Sequence, residues 1–197
     1  DFQWLRTPDH GRLFSLTDEP GVLRLYGRES IGSLYESALV ARRQQHFNYV
    51  AETRMRFAPD TFQQLAGLTA YYNAHKFHYL FVSCDDGGNL ELGIMSCAAD
   101  QSLTVDYAAF GIEPPASDQG WIWLRARVEG VALQFSFSGD GENWTYIGPT
   151  LDASILSDEA GKTEHGNFTG AFVGMTCQDV SGQGQHADFD LFRYREF

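Results

Sequence analysis

Carboxylates are the side chains with the most chemistry to offer in this sequence, and they outnumber lysines and arginines 26 to 14. Asp140 and Glu142 lie in the run Phe137-Ser138-Gly139-Asp140-Gly141-Glu142-Asn143-Trp144. Two acids this close suit calcium, but a calcium loop needs six or more oxygens at set offsets, and this run has too few. Asp-Gly is the strongest short hairpin signal, so the run reads as a tight turn. Glu52 and Glu91 fall on strands, where a carboxylate is solvated or salt-bridged. No two acids single themselves out as an acid–base pair. His10, His46, His75, His78, His165 and His186 show no metal-ligand spacing. His46 and His78 lie in strands and read as hydrogen-bonded structural residues. No serine sits in a G-x-S-x-G elbow, and no glycine-rich phosphate loop opens a helix.

The most distinctive stretch is Gly166-Asn167-Phe168-Thr169-Gly170-Ala171-Phe172-Val173-Gly174-Met175. It begins as a loop tip between two glycines and, from Thr169, runs on as a strand. Gly170, Phe172 and Gly174 share one side; Ala171, Val173 and Met175 share the other. Glycines in a strand admit another backbone or a ligand at close range. Phe168 stands between polar neighbours, where a large ring has no evident core to enter. It is either the rim of the chain's own core or a group held out to a partner.

The elements that must position such a loop are strands. At 197 residues with 43% hydrophobic and 14% aromatic content, the chain is ample for one well-filled domain. The net charge of -12 favours solubility and repels phosphate, so neither nucleic acid nor anionic membrane is an expected partner. Cys84, Cys97 and Cys177 form no C-x-x-C pair. They read as small buried hydrophobes in a reducing compartment. No apolar run approaches a membrane span, and no signal peptide is visible at Asp1. The sequons at Asn143 and Asn167 matter only in a secretory pathway.

Residues His46 to Phe57 alternate most cleanly. Phe47, Tyr49, Ala51, Thr53, Met55 and Phe57 share one face; Asn48, Val50, Glu52, Arg54 and Arg56 share the other. Period two predicts a sheet with one buried and one wet face. Further strands are predicted over Arg12 to Leu16, Val22 to Tyr26, Ala66 to Asn73, Lys76 to Cys84 and Leu90 to Ser96. More follow at Trp121 to Val128, Val131 to Ser138, Trp144 to Ile147, Thr169 to Cys177 and His186 to Tyr194. Ala38 to Gln44 is ambiguous, and residues 111–120, with Pro114-Pro115, read as loop. Asp152 can cap one short helical turn. Ten to thirteen short strands without a long helix predict an all-β protein, a two-sheet antiparallel β-sandwich with about six strands per sheet.

Several of these stretches resemble one family. Ser138 to Gly148 is similar to the S-x-D-G-x-x-W-x-x-I-G hairpin of concanavalin A-like modules. Ala41-Arg42-Arg43-Gln44-Gln45-His46-Phe47, Phe168 to Gly174 and His186-Ala187-Asp188-Phe189-Asp190 resemble the C-terminal domain of family-43 glycoside hydrolases of the β-xylosidase type. The runs at Leu151 to Ser154 and Leu156 to Glu159 fit as well. The resemblance extends from about Phe2 to Tyr194 and implies a concanavalin A-like jelly roll over residues 1–197, the C-terminal part of a longer glycoside hydrolase.

In that family the catalytic carboxylates sit on a separate N-terminal propeller and act by inversion, which needs two carboxyls across a sugar ring. None of that propeller is present in these residues, so the resemblance implies no catalytic residue here. It implies instead that a loop of this domain completes the propeller's pocket, with Phe168, flanked by Asn167 and Thr169, as its aromatic. The partner is then the catalytic propeller, and xylo-oligosaccharide or arabinoside is met through it. A homo-oligomer is compatible, and the location implied is a bacterial cytoplasm. Concanavalin A-like modules often hold structural Ca2+, for which Asp18, Asp188 and Asp190 are the candidate ligands. Asp188 and Asp190 fall on one strand face, where like charges repel unless something intervenes; a solvated face is the alternative. Two other functions stand beside the accessory role. One is a free-standing carbohydrate-binding module stacking sugars on Trp121, Trp123, Tyr71 and Tyr72. The other is a structural interaction domain.

Overall fold

The computed structural model describes residues 1–4, 7–98, 105–114, 120–160 and 170–197. In chain order the strands are β1 (Phe2–Trp4), β2 (Phe14–Ser15), β3 (Leu23–Tyr26), β4 (Ala38–Arg43), β5 (Asn48–Phe57), β6 (Gln64–Asn73) and β7 (Lys76–Cys84). They continue as β8 (Leu90–Cys97), β9 (Val105–Ile112), β10 (Trp121–Glu129), β11 (Ala132–Ser138), β12 (Thr145–Asp152), β13 (Phe172–Asp179) and β14 (His186–Glu196). Short 3-10 turns lie at His10–Arg12 and Ala153–Leu156. The strands form two seven-stranded sheets, in the orders β1-β4-β13-β6-β7-β8-β9 and β12-β11-β10-β5-β14-β3-β2. All the strand pairs are antiparallel. The architecture is the two-sheet antiparallel sandwich that the strand pattern predicts, of the concanavalin A-like kind that the resemblance implies.

The main core fills the gap between the sheets. Leu68, Leu80, Ile94 and Met175 come from the first sheet, and Ala51, Met55, Leu124 and Phe135 from the second. On β5 the alternation holds from Tyr49 to Phe57: Tyr49, Ala51, Thr53, Met55 and Phe57 are buried. Phe47 precedes the strand and is exposed instead; its carbonyl accepts from Gly130 N at 2.9 Å.

The first sheet is buried on both faces along its middle. All nine residues of β7 are buried. Its outer side chains Phe77, Tyr79 and Phe81 form a second cluster with Leu65, Cys97 and Ile31. Ile31 arrives on the segment between β3 and β4, whose backbone at Ile31 donates to Gln178 Oε1 at 3.2 Å. Burial on both faces is why β7 reads as a near-continuous apolar run rather than an amphipathic one.

Several elements depart from expectation. β9 is not predicted, and it carries the chain through Ile112, where a loop is expected. β12 continues past Gly148-Pro149 to Asp152, because it is a sheet edge, where a proline costs no ladder bond. β13 begins at Phe172 rather than Thr169. In β14 the register slips between Phe189 and Leu191; Phe189 stays in the core, and the extra residue, Asp190, forms a bulge.

Candidate functional site: the roots of the 161–169 segment

Asn167, Phe168 and Thr169 lie outside the described residues, as do Gly166 and His165. What is defined is how the chain leaves and rejoins the sandwich around them. On the leading side, Asp152 caps the 3-10 turn by accepting from Ser154 N at 2.9 Å. Ser157 Oγ donates to Ser154 O at 2.8 Å, and Leu156 enters the main core. Lys76, wholly buried, donates from Nζ to Ser157 O at 2.9 Å and lies 4.8 Å from the centre of the Tyr72 ring. The Tyr72 hydroxyl donates to the Asp158 carboxylate. Burial lowers the Lys76 pKa, while Asp158 and Glu159 work against that shift. Next to this clamp, the His78 ring spans Asp152 O, 3.0 Å from Nε2, and Ser96 Oγ, 2.7 Å from Nδ1.

On the trailing side Gly170 has φ 78°, a left-handed conformation that glycine adopts without strain. A Cβ there would also meet the guanidinium of Arg43. That guanidinium lies 4.8 Å from the centre of the Phe172 ring. Gln44 N donates to Ala171 O at 2.9 Å. Gly174 packs against Ala41 and the Val40 carbonyl so closely that any Cβ would collide with backbone. This is the close approach a strand glycine permits. Both roots of the segment are therefore fixed at one end of the first sheet.

Of the clamp residues, His78 is the hydrogen-bonded strand histidine expected, whereas the roles of Tyr72, Lys76 and Asp158 escape sequence reasoning. Tyr72 figures there as a sugar-stacking candidate, but it is a core residue, 2% exposed. The one available signal is a lysine inside an apolar strand, since lysine is seldom buried without a partner.

The proposed calcium ligands are taken up by other partners. Asp188, nearly buried, receives Arg24 Nε at 2.7 Å and Nη2 at 3.0 Å on one side and Arg56 Nη2 at 2.9 Å on the other. Asp190 takes the Arg54 guanidinium through both oxygens. Asp18 accepts from Ser15 Oγ at 2.8 Å and from the Tyr26 hydroxyl. These hydrogen bonds lower the Asp18 pKa. The Asp188 pKa is also lowered, because the two arginines outweigh the opposing effect of burial. The repulsion foreseen between Asp188 and Asp190 is thus relieved by arginine. A cation would have to displace charge-assisted, partly bidentate pairs, and these residues do not fit a calcium site. Among the described residues no three His, Cys, Asp or Glu side chains converge as metal ligands.

The remaining candidates have structural roles. Glu52, on the face expected to be wet, is 2% exposed and receives Arg125, Arg193 and Arg195. Asp140 accepts from Ser138 Oγ and from the amides of Glu142 and Asn143, each at 2.8 Å, which makes its run a turn. Trp121 and Trp123 share one face, but Arg54 lies 4.9 Å and 5.8 Å from their ring centres and Arg56 lies 5.1 Å from that of Trp121. The guanidiniums occupy positions a sugar ring would need. The three cysteines are buried free thiols.

The description "Beta xylosidase C-terminal Concanavalin A-like domain" matches residues 1–195. "Xylosidase/arabinosidase 43B" of Humicola insolens is 49% identical over 99% of this chain and 36% of its own length. A "Putative beta-xylosidase" of Escherichia coli (strain K12) is 42% identical over 98% of this chain and 36% of its own. The crystal structure of a xylan beta-1,4-xylosidase from Bacillus halodurans C-125 superposes with a TM-score of 0.89, at 36% identity, over 99% of this chain and 36% of that one. The chain thus spans about a third of the length of the relatives it matches. With the sandwich, its loop roots and these matches in hand, the chain belongs to the family of β-xylosidase C-terminal concanavalin A-like domains.

Proposed function

We propose that this domain serves a β-xylosidase or α-arabinofuranosidase by presenting Phe168, between Asn167 and Thr169, to the active-site pocket of a separate N-terminal catalytic propeller. There the ring excludes water and narrows the space around a xylo-oligosaccharide or arabinoside; it transfers no proton. The observation that carries this reading is the double clamp. Lys76 and Tyr72 hold Ser157 and Asp158, while Gly170 rests against Arg43. A segment whose function depended on neither end would have no use for a buried lysine and a left-handed glycine at its roots. The length of the relatives supports a catalytic domain ahead of this one. The buried free thiols support the cytoplasm as its location. Arg54 and Arg56 over the tryptophans weigh against a free-standing sugar-binding role.

The test is Phe168→Ala in the two-domain enzyme. A pocket rim shapes substrate fit and water exclusion together, so kcat/KM falls by about tenfold or more. The melting of the sandwich stays near that of the parent, because an exposed ring contributes little, whereas a core Phe→Ala costs about 3–5 kcal/mol. Loss of several kcal/mol with unchanged kcat/KM makes Phe168 a core residue and removes the role.

A further inference from the structure

The outer face of the second sheet carries an excess of arginine, and strand register builds it. Glu52 of β5 lies between Arg125 of β10 and Arg193 of β14. Val50, one step along the same face, lies between Arg127 and Arg195. Elsewhere on this face the described ion pairs balance. Asp188 and Glu19 serve Arg24 and Arg56, Asp190 serves Arg54, and Glu129 serves Arg127. Glu52 serves three cations, Arg125, Arg193 and Arg195. Two positive charges are left over there, in a chain whose net charge is -12.

One guanidinium is enough to hold Glu52. Arg125 donates to Oε1 from Nε at 2.9 Å and from Nη2 at 2.6 Å, and lies 3.4 Å from the centre of the Trp144 ring. The other two are held more loosely. Arg193 Nη1 stands 3.3 Å from Oε2, and Arg195 Nη2 stands 3.3 Å from Oε1. Their side chains are 47% and 59% exposed. A guanidinium has five N–H donors, and each of these two commits a single nitrogen to Glu52. Two like charges drawn over one acid repel, and an anion above them relieves the repulsion. A dianion matches the surplus. A phosphate group carries about -1.5 to -2 charges at pH 7 and several strong acceptor oxygens, which arginine forks bind in pairs. A single carboxylate would cancel only half of the surplus. We propose that Arg193 and Arg195 form a binding site for the phosphate group of a small molecule, seated over Glu52. The ligand is small because a polyanion would also meet the acidic remainder of the surface, whereas at physiological salt exposed charges more than about 8 Å away are largely screened. The site is on the opposite sheet from the roots of the 161–169 segment and does not depend on the role of Phe168.

Calorimetric titration of the two-domain enzyme with inorganic phosphate tests the site, with sodium chloride holding the ionic strength constant. Saturable binding is expected, weakened at least tenfold in the double variant Arg193→Gln/Arg195→Gln. Arg195→Gln alone removes the more exposed group; it weakens binding several-fold and serves as the test should the double variant fail to fold. Arg12→Gln, which loses only an exposed pair with Glu36, binds as the parent does. Glucose 6-phosphate is titrated alongside. Tighter binding than that of inorganic phosphate identifies an organic phosphate as the ligand, equal binding identifies the free ion, and either supports the site. Absence of saturable binding, or binding that both arginine variants leave unchanged, overturns it. Glucuronate bound more tightly than phosphate assigns the two arginines to a carboxylate and overturns the phosphate site as well.

Discussion

His78 is held neutral by its surroundings. Its Nε2 faces the Asp152 carbonyl, which can only accept, so Nε2 carries the proton and Nδ1 accepts from Ser96 Oγ. Burial lowers its pKa below 6.5, against the smaller opposing effect of Asp152. A histidine with a depressed folded pKa binds a proton more readily in the unfolded chain. Its contribution to stability is complete above pH 6.5 and is lost as pH falls from there toward the folded value. Denaturant melts of the parent should therefore weaken steadily below pH 6.5. His78→Gln should flatten that slope by at most one proton, about 1.4 kcal/mol per pH unit. His186, also lowered chiefly by burial, adds to the slope that remains, and lowered carboxylates such as Asp188 add theirs at lower pH. A variant with the parent's slope would show that His78 titrates freely. At this scale the sequence is partly legible. Asp188 and Asp190 declare a like-charge problem by their spacing. Their solution comes from Arg24 and Arg56, 164 and 132 residues away from Asp188, which no local pattern announces.

β5 shows the same limit one level up. Its alternation identifies the buried face, and the structure agrees from Tyr49 onward. The other face is not wet at Glu52, because β10 brings Arg125 and β14 brings Arg193 and Arg195 over it. Strand pairing decides this, and pairing depends on residues far apart in the chain. Glu52→Ala leaves three guanidiniums around a void and should cost roughly 3–5 kcal/mol, as breaking a buried ion pair does. Arg195→Ala removes a side chain that is 59% exposed and should cost less than about 1 kcal/mol. Chemical denaturation of both variants checks the contrast; equal losses would mean that the acid is no more buried than its partners. The β12 extension and β9 were illegible for a related reason: an edge strand needs less apolar patterning than a central one, and β12 tolerates Pro149 within it.

For the whole molecule, period-two alternation and the lack of a long helical pattern were enough to predict two sheets. They could not say that one sheet is buried on both sides, since that depends on where the Ile31 segment crosses. The calcium expectation separates most clearly at this scale. A ligand bound only by the native state raises the melting temperature by mass action. With Asp188 and Asp190 held by arginine and Asp18 by hydroxyls, the midpoint should be the same with and without a chelator. A drop on chelation would place a cation here after all.

The strand order carries a consequence for how the sandwich comes into being. β13 lies between β4 and β6, and β14 lies between β5 and β3. The last two strands of the sandwich are therefore each interior to one of its sheets. A nascent chain that stops short of Phe172 has β4 and β6 with nothing to join them, and β5 lacks its bridge to β3. Neither sheet can close while residues 172–196 are still within the ribosome, so this sandwich must assemble after its own synthesis is nearly done. Non-local pairings of that kind are slow and leave open strand edges exposed meanwhile. A domain already folded upstream would be a neighbour against which those waiting strands could shelter.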